Sequence, residues 1–90
     1  MLFHVAATHT ADNCPAYMDP NDPTRVKNKE ARKRYKEIAK RTGVNVRFIG
    51  FGAPEHAIFA AIEADSPLAV DLFWAEAFPY KQSFRLTAVT

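Results

Sequence analysis

His9, Cys14 and His56 are the residues whose types most directly offer chemistry in this chain. Two imidazoles and a thiolate make a good donor set for zinc, nickel, copper or iron. Three protein ligands also leave a coordination position open for water or substrate. Asp12 or Glu55 could supply a fourth donor. The spacing is not a known metal motif, so the set depends on the fold to assemble it. The competing reading is a solvated histidine at a strand end, a hairpin histidine and an inert loop thiol. Cys14-Pro15 alone offers an activated nucleophile, a persulfide carrier or a haem ligand, on a dipeptide too common to be specific.

A second constellation is His4, Thr8, Arg47, Glu63 and Arg85, with Phe51 and Phe59 as apolar walls. Arg47 and Arg85 could clamp a small anion through carboxylate-matching forks, with His4 as general acid or base. Thr8, Phe51, Phe59 and Glu63 would then complete the ligand pocket. Against this, Glu63 could simply pair with one arginine, and the phenylalanines could be packing residues.

The elements that must position these residues follow from pattern. Leu2–Thr8 is a short apolar run, strand β1, and residues 9–22 are a long loop broken by Pro15, Pro20 and Asn21. Asp22-Pro23 caps a helix over Thr24–Thr42 that Gly43 closes, with Ala31, Tyr35, Ile38 and Ala39 as its buried stripe. Strand β2 spans Val44–Phe51, residues 52–55 form a turn, and strand β3 spans His56–Ala64. Asp65-Ser66-Pro67 opens a second helix to about Phe78, burying Val70, Phe73, Trp74 and Ala77. Pro79 ends it, and Ser83–Thr90 is strand β4.

This β-α-β-β-α-β order predicts an α+β, ferredoxin-like plait with antiparallel sheet order 4-1-3-2 and both helices on one face. Strand parity assigns Phe3, Val5, Ala7, Val44, Val46, Phe48, Ile58, Ala60, Ile62, Phe84, Leu86 and Ala88 to the helix side. The opposite face carries His4, Thr8, Arg47, Glu63 and Arg85 among Leu2, Ile49, Phe51, Phe59 and Val89. That face is too apolar for water and too polar for a dry core, which predicts a sheet-to-sheet dimer around a partly polar cavity. The same topology makes β1 and β3 antiparallel neighbours, so His9 and His56 should meet at one end of the sheet.

Composition narrows the classes. Ninety residues, 48% hydrophobic and 24% charged, predict one globular domain over residues 1–90. A single cysteine excludes an internal disulfide framework. No apolar run approaches the roughly 18 residues needed to span a bilayer. Met1-Leu2-Phe3-His4 lacks a basic start followed by a long apolar stretch, which predicts a cytoplasmic protein with no membrane partner. Nine of the twelve lysines and arginines fall in the first helix against Glu30 and Glu37 only, so the domain is strongly dipolar. A basic helix can contact phosphates. The base-stacking aromatics of ferredoxin-like RNA-binding modules are missing from β1, however, which argues against nucleic acid.

The hairpin Gly50-Phe51-Gly52-Ala53-Pro54-Glu55-His56, the strand ending Glu63-Ala64 and the Asp65-Ser66-Pro67 helix start resemble the dimeric α/β-barrel superfamily. The resemblance is to its small GYD and muconolactone-isomerase-like members and covers nearly the whole chain as element order. The GYD tripeptide itself is replaced by Ala53-Pro54-Glu55-His56. The resemblance implies a homodimer or higher oligomer binding a small molecule or metal ion. Any activity would be cofactor-free oxygenation or isomerisation of a small anionic or aromatic compound; no catalytic assignment transfers by motif, and His4, Arg47 and Arg85 are the catalytic set on the strength of their open-face positions alone. The alternatives are a non-catalytic metal-binding protein using His9, Cys14 and His56, or a regulatory oligomer whose basic helix meets an acidic partner.

Overall fold

The computed structural model describes residues 1–52 and 54–90; of the expected turn at 52–55, Ala53 lies outside the described residues. Strands β1 (Leu2–Thr8), β2 (Asn45–Gly52), β3 (Ala57–Glu63) and β4 (Ser83–Val89) form one sheet. Its order is β2-β3-β1-β4, which is 4-1-3-2 read from the opposite edge. Every neighbouring pair is antiparallel. The helices are α1 (Pro23–Lys33), α2 (Tyr35–Thr42) and α3 (Pro67–Ala77).

The single helix expected over 24–42 is therefore two. At Arg34 the backbone leaves the α region (φ −106°, ψ 10°), and its N–H donates to the Ala31 carbonyl three residues back. One tightened turn thus joins two α-segments. The caps follow the chemistry of the sequence. Asp22 accepts from the Thr24 N–H at 2.9 Å ahead of Pro23, and Ser66 accepts from the Ala69 N–H at 3.3 Å ahead of Pro67. Gly43 ends α2 at φ +78°, a left-handed position that glycine takes without strain.

The core lies between the helices and one sheet face. Phe3, Val5, Ile58 and Ile62 pack there with Ala31, Ile38, Val70 and Phe73 in one cluster. Trp74 is also buried, and its indole N–H donates to Gln82 Oε1 at 3.0 Å, so its polar atom is satisfied.

Strand β2 departs from simple alternation. Val46 pairs with Ile62 but Phe48 with Ala61, so Arg47 is the extra residue of a β-bulge. One extra residue inverts the faces of everything after it. Phe48, expected in the core, stands on the open face and is 59% exposed, its ring over Gly50. A Cβ on Gly50 would fall 2.9 Å from Phe48 Cζ, so a side chain there would displace the exposed Phe48 ring. Ile49 and Phe51, expected on the open face, turn to the helix side: Ile49 packs on the core and Phe51 meets Phe78 at 6.4 Å between ring centroids.

Candidate metal centre

The sheet end where β1 finishes and β3 begins assembles the histidines. The His9 N–H donates to the His56 carbonyl at 3.1 Å, extending the β1–β3 ladder by one bond beyond Thr8↔Ala57. His56 holds φ +51°, a left-handed conformation in which histidine is over-represented among non-glycine residues, and its ring lies 5.1 Å from that of His9. Cys14 reaches the same place from the 9–22 loop. That loop is not featureless: it winds through two 3₁₀ turns, Ala11–Asn13 and Pro15–Tyr17. The Cys14 N–H donates to the Ala11 carbonyl at 3.2 Å, and its carbonyl accepts from the Tyr17 N–H at 3.0 Å. Cys14 is therefore fixed between the two turns, with its side chain buried.

One donor atom from each of His9, Cys14 and His56 lies within 4.8 Å of the other two. Metal–ligand bonds of about 2.0–2.3 Å put tetrahedral donors about 3.3–3.8 Å apart, so binding would draw the three together by about 1 Å. Both ring nitrogens of His9 are buried without a hydrogen-bond partner among the described residues. A buried polar atom left unpaired is costly, and a ligand on one of these nitrogens would remove part of that cost. Burial, and secondarily the neighbouring His56, hold the His9 imidazole below its ordinary pKa, which favours the neutral ring that a metal needs. Asp12 and Glu55 do not join the cluster; Glu55 instead folds its carboxylate over Gly52.

Aromatic rings wall this group. Tyr80 meets the edge of His9 and Tyr17 that of His56, both at 5.1 Å. Sequence reasoning missed both tyrosines. Tyr80 had a signal, because Ser83 pairs with Thr8 and a residue three before it must lie at the same sheet end. Burial pushes the Tyr80 hydroxyl above the ordinary tyrosine range.

The second predicted set stands mostly on the open face, where a second copy would have to close the expected cavity. His4 pairs with Ala61 and Thr87, Thr8 with Ala57 and Ser83, and Arg85 with Ala6, all three exposed. Arg47 is engaged by Glu63, the bland alternative for that pair. Phe59 shares this face, but Phe51 does not: the bulge at Arg47 carries it to the other side, under the Arg32 guanidinium at 5.1 Å. The two clefts that line up with named residues both lie on the helix side. The larger, about 770 Å³, opens onto His9, Cys14 and His56. Among the described residues no helix is long and apolar enough to cross a membrane. No family model matches the chain, and no curated protein matches it.

Proposed function

We propose that this protein binds a first-row transition-metal ion, zinc foremost, through His9, Cys14 and His56. The observation that carries the reading is the meeting of three donors beside two buried, unpartnered nitrogens of His9. Two imidazoles and a thiolate suit zinc, with copper, nickel and iron as competitors for the same donor set. A thiolate ligand also suits the reducing cytoplasm, where a lone cysteine stays reduced.

Cobalt(II) titration of the metal-free, untagged protein tests the reading. A one-to-one complex should show thiolate-to-cobalt charge transfer and the intense visible bands of a tetrahedral ion, displaced by zinc. No thiolate band in wild-type protein would overturn it.

We further infer a ferredoxin-like plait that pairs through its open sheet face with a second copy. The β2-β3-β1-β4 order and the single helix-covered face support the plait. Leu2, Phe48, Phe59 and Val89, all exposed on the other face, support the pairing. Analytical ultracentrifugation separates the outcomes: a concentration-dependent dimer agrees, and a monomer at all accessible concentrations refutes the pairing.

A further inference from the structure

The cleft over the candidate metal centre is walled on its other side by the basic helix α1. Arg25, Lys29, Arg32 and Lys33 line it, against Glu30 alone among the acids. Lys33 pairs with Glu30 at 3.5 Å, and Arg25 donates to the Met18 carbonyl. Among the described residues, Lys29 and Arg32 pair with no carboxylate. The Arg32 guanidinium rests on the face of Phe51, which holds the cation in place while its N–H donors stay available. Tyr80 lines the same cleft, its ring edge-on to His9 at 5.1 Å between centroids. Tyr17, Phe51, Ile58 and Tyr80 make the remaining wall largely apolar.

We propose that this cleft binds a small organic carboxylate with an apolar or aromatic body, its carboxylate held by Arg32 and Lys29 beside the open position of a metal on His9, Cys14 and His56. The placement beside the metal rests on the metal reading above; the anion site itself does not. A planar carboxylate matches the guanidinium fork, and a ring-bearing body matches the aromatic walls better than a compact inorganic anion does.

Benzoate is the probe, followed by calorimetry and amide chemical shifts on zinc-loaded and metal-free wild-type protein, with inorganic phosphate as competitor. Benzoate should bind zinc-loaded protein and perturb the amides around Arg32 and Tyr80. Arg32→Gln should weaken it at least tenfold, and Lys29→Gln severalfold, while both keep wild-type zinc stoichiometry. Arg32-dependent binding to wild-type protein that takes up no zinc would sustain the anion site and remove the metal from it. Unchanged benzoate affinity in Arg32→Gln, or displacement by equimolar phosphate, would overturn the proposal while leaving zinc binding to stand on its own result.

Discussion

The backbone N–H of His9 and the carbonyl of His56 are joined at 3.1 Å, and their imidazoles sit 5.1 Å apart as a consequence. Two of the three candidate ligands thus flank the last β1–β3 pair, Thr8↔Ala57, and one backbone hydrogen bond beyond that pair holds them together. Cys14 comes from farther along the loop, and two 3₁₀ turns brace it. A ligand set built this way is largely preorganised before an ion arrives.

Removing a ligand should therefore act on affinity more than on the fold. Cys14→Ser and His56→Ala should each weaken zinc by at least about 100-fold, since even outer-shell changes cost 10–100-fold at metal sites. Chelator competition reads this directly. Their metal-free circular dichroism should match that of metal-free wild type.

The open face makes a different prediction. Phe59→Asp, on the central strand β3, should convert a dimer to a monomer in sedimentation, whereas Phe51→Ala should leave the oligomer unchanged. The contrast follows from the bulge at Arg47, which puts the two phenylalanines on opposite faces. Equal effects of both variants would contradict the register.

Phe73 is fully buried in the cluster between α3 and the sheet. Phe73→Ala should cost about 3–5 kcal/mol, a large fraction of the stability of a small domain. Ser66→Ala, which removes only the cap at the start of α3, should cost about 1 kcal/mol. Urea denaturation of both variants at neutral pH gives the comparison.

Alkaline pH should unfold the protein partly through Tyr35. Burial against Phe73 pushes its hydroxyl above the ordinary value of 10.0. An unfolded chain sheds this proton near pH 10 while the folded one keeps it. The stabilisation is thus complete below the unfolded value and is lost as pH rises through the raised folded one. The urea midpoint should fall across that range, and Tyr35→Phe should flatten the fall; an identical pH slope in the variant would refute the assignment.

Much of this arrangement was legible in the residues. Period-2 apolar runs and Asx-Pro or Ser-Pro helix starts located all four strands and the helix caps, and β-α-β-β-α-β order implied the antiparallel β1–β3 pair. From that pair alone His9 and His56 had to meet. Cys14 was legible only as a nearby thiol, because no pattern rule gives the path of a 3₁₀ loop. The bulge was not legible: the run Val44–Phe51 alternates acceptably on either face, and its only hints are adjacent apolar Phe48-Ile49 and the glycine after them. The break at Arg34 carries no proline or glycine to mark it. The basic cleft was hidden for the same reason, since it depends on Phe51 facing the helices and Arg32 lying over it.

Native mass spectrometry of untagged protein, exposed to zinc and then desalted, tests the central claim most directly. The account predicts one zinc ion per chain in the wild type and none in Cys14→Ser or His56→Ala. Wild-type protein that emerges free of metal, or zinc retained in both variants, would contradict it.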